Sequence, residues 1–301
     1  MRTIAFLARW FAAVTAAGAA LRAAEPDADY SREMEAWRNA RVTQLTKPDG
    51  WLTLIGLHFL TAGENTVGSA ADNAVVLAKG PAHIGTLTMA EDGRVKAVFE
   101  PGLGVKVNGE EVLASNLKDD SHGPSDVVTT GTLAILVIDR GGKKALRVKD
   151  SEAERRTGFL GIDYFPIDPG WRIEADWVAF EKPREVPIHN IIGNVSSAMI
   201  LGKAVFTREG HTIELLPIQD DPEGVLFFVI SDRTSGLETY GAARFLYAAP
   251  PVAGKVLLDF NKAQNPPCAF TPYATCPLPP KENQLPIAVN AGEKKYRGRT
   301  D

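Results

Sequence analysis

Short β-type runs separated by turn residues fill most of this chain and constrain its fold more than any other feature. From Trp51 onward these runs are punctuated by Gly, Asn, Asp and Pro. The pair Asn108-Gly109 predicts a tight hairpin, because both residues tolerate the positive φ of a type I′ turn. Apolar and charged residues alternate from Trp171 to Trp177, as in a strand with one face in water. The pattern predicts a mostly β protein of the sandwich or barrel class.

The β pattern breaks after residue 150, and this break divides the chain from residue 48 onward into two β halves. Residues 48–150 are predicted to form a β-sandwich, and the polar stretch Ser151–Arg156 marks its end. Residues 151–301 are predicted to form a second β domain. Within it, residues 250–286 contain nine prolines. Since proline cannot donate to a ladder or continue a helix, this part predicts an extended, turn-rich segment packed on the second half.

Residues 25–47 precede the first β half and predict a helix. Tyr30, Met34 and Trp37 form one apolar stripe among charged neighbours. The turn sequence Pro48-Asp49-Gly50 ends the helical pattern.

Residues 1–24 have the layout of an export signal. Arg2 and Arg9 flank an apolar, alanine-rich stretch that ends in small residues before Glu25. The sequence therefore predicts a periplasmic or secreted protein without a stable membrane span, since the apolar stretch is shorter than the roughly 20 residues that cross a bilayer. An N-terminal helix of the folded domain and an uncleaved anchor are the alternatives.

The charge balance argues against nucleic acid as a partner. The whole chain has a formal net charge of −4. Removal of residues 1–24 leaves 30 basic and 37 acidic residues, a net charge of −7. Basic residues are scattered except at the C-terminus, where a solvated tail accounts for them.

Sequence motifs for cofactor, metal and nucleophile chemistry are absent. The chain has no GxSxG, no phosphate-binding GxxxxGK[ST] loop and no HExxH, and its five histidines are dispersed. We therefore expect no cofactor and no metal, and the sequence leaves open whether the protein is an enzyme.

Polar residues are concentrated between positions 232 and 293, among prolines and aromatics. Such groups can line a rigid pocket for a polar small molecule or peptide. They can equally satisfy backbone groups that lack a strand partner, or brace the fold. The candidate ligand-binding residues are Tyr240, Arg244, Asp259, Asn261, Asn265 and Glu282.

Cys268 and Cys276 are the only cysteines in the chain. In an exported protein such a pair predicts a disulfide, here closing the loop around Thr271-Pro272-Tyr273. Free thiols are the alternative.

Several segments of the chain are long or unusual in sequence. They are Pro48-Asp49-Gly50-Trp51-Leu52, GIDYFP at 161–166, TSGLETYGAARFL at 234–246, LDFNKAQNPPCAFTPYATCPLPPKE at 258–282, and Ala291-Gly292-Glu293-Lys294. Together these segments resemble a family of uncharacterised proteins, domain-of-unknown-function family 1684. The resemblance implies a shared fold and site, and it names no activity.

Residues 63–109 have an outline that runs from Gly63 through Asn73 and His83 to Asn108-Gly109. This outline resembles forkhead-associated domains, which are β-sandwiches that bind phosphothreonine. The family has Arg after the glycine where this chain has Ser69, and it has Ser ahead of the His. The resemblance therefore implies a sandwich of this type that does not bind phosphothreonine.

Three functions stay open from the sequence. The first is a binding module for a polar small molecule or peptide in the C-terminal half. The second is a hydrolase that uses two carboxylates as acid and base, and the third is a structural or partner-binding envelope protein. The carboxylates available to the hydrolase are Asp232, Asp259, Glu282 and Glu293.

Overall fold

The computed structural model describes residues 26–218 and 224–298. The chain is mostly β with one long N-terminal helix, as predicted, and the predicted leader lies outside the described residues. Helix α1 spans Ala28–Leu45. Asp27 caps its N-terminus, where a carboxylate oxygen accepts a hydrogen bond from the backbone N–H of Tyr30 at 2.7 Å. Within the described ranges, no helix is long and apolar enough to cross a membrane.

The first β half is a sandwich of two sheets, as predicted. Apolar side chains from both sheets meet in one core, because alternate residues of each strand face inward. The strands are β1 (Leu54–Phe59), β2 (Gly63–Gly68), β3 (Val75–Val76), β4 (Gly85–Met89), β5 (Val95–Phe99), β6 (Lys106–Val107), β7 (Glu110–Glu111), β8 (Ala114–Leu117), β9 (Val127–Thr130), β10 (Leu133–Arg140) and β11 (Lys143–Asp150). The six-stranded sheet has the order β1-β11-β10-β9-β6-β7, and the five-stranded sheet has the order β3-β2-β4-β5-β8.

The predicted hairpin at Asn108-Gly109 connects β6 and β7. Its two central residues have φ values of 52° and 91°. Asn108 also accepts a hydrogen bond from the backbone N–H of Val127 and donates one to Asp126. The side chain thus fastens the turn to the neighbouring strand β9.

The second half contains a four-stranded antiparallel sheet and a separate two-stranded hairpin. The four-stranded sheet has the order β14-β13-β12-β17, and β15 pairs with β16. The elements are α2 (Glu154–Thr157), β12 (Arg172–His189), β13 (Val195–Arg208), β14 (His211–Leu215), β15 (Leu226–Ile230), β16 (Arg244–Ala248) and β17 (Lys255–Asp259).

The proline-rich segment is irregular, apart from the edge strand β17. Its remaining regular structure consists of short 3-10 helices at Phe260–Lys262, Pro267–Ala269 and Lys281–Asn283. Phe260 and Phe270 are completely buried. The segment therefore packs on the second half as predicted, through the pairing of β17 with β12 and through buried aromatic side chains.

Helix α1 docks on the second β half, although the sandwich separates the two in sequence. The hydroxyl of Tyr30 donates to Asp259 at 2.8 Å, and Arg41 pairs with the buried carboxylate of Glu293 at 2.8 Å. The sandwich is therefore inserted between a helix and the sheet on which that helix packs.

Candidate functional site

The predicted ligand-binding residues lie in separate places rather than around one cavity. Arg244, Asp259, Asn261 and Asn265 are each between 1% and 6% exposed. Three internal hydrogen-bond networks contain them, and Glu282 is exposed on the 3-10 helix Lys281–Asn283.

The first network surrounds Arg244 at the start of β16. Its guanidinium donates to Asp232 at 2.7 Å and to the carbonyl of Val289 at 3.0 Å. The other oxygen of Asp232 accepts from the backbone N–H and the hydroxyl of Thr234. Burial lowers the pKa of Arg244, and the neighbouring Asp232 opposes that shift. This pair fastens the C-terminal segment to the β15–β16 hairpin.

The second network lies where β17 ends and α1 begins. One oxygen of Asp259 accepts from the Tyr30 hydroxyl at 2.8 Å and from the backbone N–H of Asn261 at 3.2 Å. The amide of Asn261 donates to the carbonyl of Asp168 and accepts from its backbone N–H. Burial, with the negative charge of Asp259, raises the pKa of Tyr30. The network holds three distant segments together.

The third network is built on Glu293, whose side chain is completely buried. Its two oxygens accept from Arg41 at 2.8 Å and from the backbone N–H of Asn265 at 2.7 Å. Arg41 also donates to the carbonyl of Asn265 at 2.8 Å. All three arrangements favour the bracing role that the sequence left open, and contact of these residues with a ligand stays a prediction.

A cleft of about 560 Å³ lies between the six-stranded sheet and the second β half. Its walls come from β10, β11 and the 3-10 helix at Trp51–Thr53 on one side, and from β15, β16 and the β12–β13 hairpin on the other. Clefts at domain boundaries are common ligand sites. The sequence did not point to this place.

Arg147 is one of the two cations that line this cleft. It lies on the outer face of β11, opposite the buried neighbours Leu146 and Val148. Its guanidinium carbon is 5.2 Å from the centre of the Trp51 ring. Within the described part of the chain, its Nε is buried without a hydrogen-bond partner, and no carboxylate lies within the 4.0 Å of an ion pair. Burial and the nearby Arg140 lower the pKa of Arg147 to about 10, so it remains protonated at neutral pH.

Arg140, the second cation of the cleft, is held in place. It donates to Asp120 at 2.8 Å and to the hydroxyl of Thr275 at 3.1 Å. Its backbone carbonyl accepts from the amide of Asn194 at 3.1 Å. These contacts connect the sandwich to the second half beside the cleft.

Aromatic side chains of the β15–β16 hairpin form the opposite wall. Phe227 and Tyr247 face each other across the two strands and stack, with ring centres 5.0 Å apart. Phe245 meets Phe227 edge-on at 4.8 Å. Tyr247 is 45% exposed, so an aromatic face is open to a ligand.

A smaller cavity of about 300 Å³ lies on the other side of Arg147 and Trp51, which contribute to both walls. Lys47 and Lys149 also line it. Lys149 donates to the backbone carbonyl of Asp49 at 2.7 Å, and burial lowers its pKa. Basic residues therefore outnumber the one aspartate in the wall of each cavity, which is Asp139 in the cleft and Asp49 in the smaller cavity.

The alternation along β11 was the sequence signal that could have located Arg147. In Lys143–Asp150 the residues alternate between the core and the outer face. A charged residue on the outer face ordinarily indicates solvent, however. The docking of the second half onto this face creates the cleft, and no local pattern predicts that contact.

The two cysteines lie side by side as free thiols. The backbone N–H of Cys268 donates to the sulfur of Cys276 at 3.2 Å. Tyr240 donates from its hydroxyl to the carbonyl of Cys268 at 3.1 Å. The predicted disulfide stays a prediction. In the described ranges, no group of three or more His, Cys, Asp or Glu residues could hold a metal ion.

Comparison with known proteins finds a family match for part of the chain and indicates no activity. Residues 157–294 match the family described as "Protein of unknown function (DUF1684)". The match begins after the sandwich, so the segment at Pro48–Leu52 lies outside it. No curated protein matches the chain.

Two solved structures are similar to parts of the chain. The solution structure of an uncharacterized protein from Haloarcula marismortui is 29% identical, with a TM-score of 0.40, and the match covers 48% of this chain and 81% of that one. The crystal structure of Rad53 residues 1–466 with AMP-PNP is 11% identical, with a TM-score of 0.15, and covers 72% of this chain and 50% of that one. The family match alone assigns residues 157–294 of this chain, and not the sandwich before them, to the DUF1684 family.

Proposed function

We propose that this protein binds a small organic anion in the cleft between its sandwich and its DUF1684 domain. The observation that carries the proposal is Arg147, a partly buried guanidinium without a carboxylate partner among the described residues. Holding an unpaired charge away from water costs free energy. An anionic ligand would remove that cost and gain charge-assisted hydrogen bonds.

The cleft specifies a ligand with two chemical parts. A carboxylate, phosphate or sulfonate group fits the guanidinium of Arg147, which can bind such oxygens in a bidentate manner. An apolar or aromatic body fits against Tyr247 and Phe227, whose stacked rings lie on the opposite wall. Arg140, fixed by Asp120, adds positive potential without moving.

The positions of the four candidate carboxylates support the hydrolase alternative less well than the cleft supports anion binding. Asp232, Asp259 and Glu293 are buried in three different networks. Glu282 is exposed on a 3-10 helix. An acid–base pair needs two carboxyl groups facing one substrate, and these four do not share a cavity wall in the described networks.

The predicted leader bears on where binding would take place. If residues 1–24 direct export, the ligand is one that is met outside the cytoplasm. We include this location in the proposal. It is tested by the intact mass of protein recovered from the periplasm or medium, where retention of Arg2 in the soluble protein would contradict export.

The binding test uses two fluorescent probes that share a ring system. Anilinonaphthalene sulfonate carries the anionic group, and phenylnaphthylamine lacks it. The native full-length chain is expected to bind the sulfonate about tenfold or more tightly, since a hydrogen-bonded charge contributes roughly 1.5–3 kcal/mol and 1.4 kcal/mol is a factor of ten. In Arg147→Met the preference should disappear, because methionine keeps an apolar stem over Trp51 without the charge.

Arg208→Met is the matched control. Arg208 also stacks on a tryptophan, with its guanidinium carbon 3.7 Å from the centre of the Trp171 ring, but it lies outside the cleft. This variant should keep the preference for the sulfonate. Equal binding of the two probes by the unmodified chain, or equal losses in the two variants, would contradict the proposal.

A further inference from the structure

Cys268 and Cys276 lie between two cavities. Cys276 belongs to the wall of the cleft described above. Cys268 belongs to the wall of a second cavity of about 330 Å³. The two thiols are 9% and 6% exposed, so each is shielded from bulk water while bordering a space that a small molecule can enter.

The second cavity is mainly apolar. Ile191 and Ile192 line it from the β12–β13 hairpin and are 42% and 38% exposed. Pro272 and Ala274 come from the loop between the cysteines. A small molecule with an alkyl or aryl group fits this lining better than a strongly hydrated ion does.

The loop between the cysteines is anchored at both ends. Cys268 lies in the 3-10 helix Pro267–Ala269, next to the completely buried Phe270. At the other end, the carbonyl of Cys276 accepts from the backbone N–H of Ile191 at 3.0 Å. Because both ends are held, the sulfurs stay neighbours whether they are reduced or bonded.

The surroundings shift the pKa values of the two thiols in opposite directions. The Cys276 thiol donates to the sulfur of Cys268 and lowers the pKa of Cys268. Burial opposes this shift, and the Tyr240 hydroxyl lowers the pKa of Cys268 further. The same contact, together with burial, raises the pKa of Cys276. A thiolate is the nucleophilic form of cysteine, so Cys268 is the thiol that ionises first.

We infer that Cys268 and Cys276 form a redox-active dithiol, in which Cys268 attacks an organic hydroperoxide that enters the second cavity and Cys276 completes a disulfide. This goes beyond anion binding and does not depend on it. The geometry that supports it is the pairing of the sulfurs, the cavity beside Cys268 and the anchored loop.

The reaction balances in two steps. The Cys268 thiolate attacks the terminal oxygen of the hydroperoxide, the O–O bond breaks, and the alkoxide takes a proton to leave as an alcohol. Cys268 is then a sulfenic acid. The Cys276 sulfur attacks the Cys268 sulfur, the S–S bond forms, and the hydroxyl group leaves with the thiol proton as water. The dithiol has lost two electrons to the peroxide, and an external dithiol reductant restores it.

The test uses the full chain, reduced with dithiothreitol and freed of it, and tert-butyl hydroperoxide as the oxidant. Since there is no third cysteine, each single variant reports on one thiol. Cys276→Ser should react quickly and yield a sulfenic acid that dimedone traps at Cys268. Cys268→Ser should react at least about tenfold more slowly than Cys276→Ser. The unmodified chain should lose both thiols together.

Ordered alkylation of the unmodified chain provides a second measurement that needs no variant. A limiting amount of iodoacetamide, followed by peptide mapping, should label Cys268 before Cys276. Tyr240→Phe should slow oxidation several-fold, because the hydroxyl that favours the Cys268 thiolate is lost. Equal labelling, faster reaction of Cys276, or a rate equal to that of glutathione would overturn the inference. A disulfide that dithiothreitol does not reduce in the native chain would also overturn it, because the bond would then be a permanent structural one.

Discussion

Arg244 and Asp232 form an ion pair that is almost completely excluded from water, with side chains 1% and 0% exposed. A buried pair contributes little net stability compared with apolar residues of the same shape, but removing one partner strands the other charge. Asp232 also organises Thr234 and Val289 through its second oxygen. The pair therefore determines how the C-terminal segment packs.

Arg244→Met is expected to lower the free energy of unfolding by about 3–5 kcal/mol, because Asp232 would be left buried without its cation. Lys255→Met is the control, since Lys255 pairs with Asp176 at the surface, where both side chains are about half exposed or more. It should leave the free energy of unfolding almost unchanged, because a solvent-exposed ion pair is screened by water. Urea unfolding of the two variants measures the difference. A small loss for Arg244→Met would show that Asp232 can be satisfied without the guanidinium.

Asp119 shows how a titrating residue stabilises the sandwich. The Lys144 ammonium, and then the Ser121 hydroxyl, lower its pKa to about 2. An ordinary aspartate has a pKa of about 3.9. Because the folded-state value is the lower one, the stabilisation is present above pH of about 4 and is lost as the pH falls towards 2.

Asp119→Asn should therefore lower the melting temperature near pH 6, and the difference from the unmodified chain should shrink between pH 4 and pH 2. Thermal unfolding followed by circular dichroism across this range gives the measurement. A difference that stays constant down to pH 2 would mean that the charge of Asp119 does not contribute.

Helix α1 is held in place by contacts with residues that are distant in sequence. Four of its side chains, Tyr30, Glu33, Arg38 and Arg41, make hydrogen bonds to the second half. Arg38 also lies over the ring of Tyr164, 4.2 Å from its centre. The helix is thus attached by polar and aromatic contacts at several points along its length.

Arg41→Met is expected to destabilise the second half by about 3 kcal/mol, because the Glu293 carboxylate would remain buried without its cation. Hydrogen exchange should show faster opening of α1 and of the segment around Glu293, with the sandwich core unchanged. Arg32→Met serves for comparison, since Arg32 pairs with Asp29 on the exposed side of the same helix. Equal exchange in the two variants would count against the role given to Arg41.

At the scale of the whole molecule, the sandwich has its own core, whereas the second half depends on a helix from the other end of the chain. The core of the sandwich draws only on residues of its two sheets and their loops. In the second half, the buried carboxylates of Asp259 and Glu293 accept hydrogen bonds from side chains of α1.

We therefore expect residues 48–150 to fold cooperatively when expressed alone. Residues 151–301 alone should lack a cooperative transition, because two buried carboxylates would lose their partners. Near-ultraviolet circular dichroism and thermal unfolding of both fragments measure this. Addition of residues 25–47 as a separate peptide should stabilise the second fragment, and a stable 151–301 fragment without it would contradict the dependence on α1.

Local sequence patterns were sufficient for several elements of this protein. The apolar stripe at Tyr30, Met34 and Trp37 predicted α1, and Asn108-Gly109 predicted the turn between β6 and β7. Helical periodicity, strand alternation and turn chemistry depend on neighbouring residues, so a single sequence contains them.

The roles of the polar residues, in contrast, depend on the fold and not on local sequence patterns. Arg244, Asp259, Asn261 and Asn265 stand in a segment rich in polar groups, which suggested a pocket, and the fold places them inside as braces. Arg147 looked like an ordinary outward-facing residue of a strand, and the fold places it in a cleft.

The sequence by itself determined the mostly β class, the helix and the Asn108-Gly109 turn, because each rests on contacts between residues that are close along the chain. Only the tertiary structure decided which polar side chains border a cavity. Trp51 and Arg147 meet Tyr247 and Cys276 across the cleft because two separately formed sheets pack against each other. The burial and charge of each group depend on that packing, which no local pattern encodes.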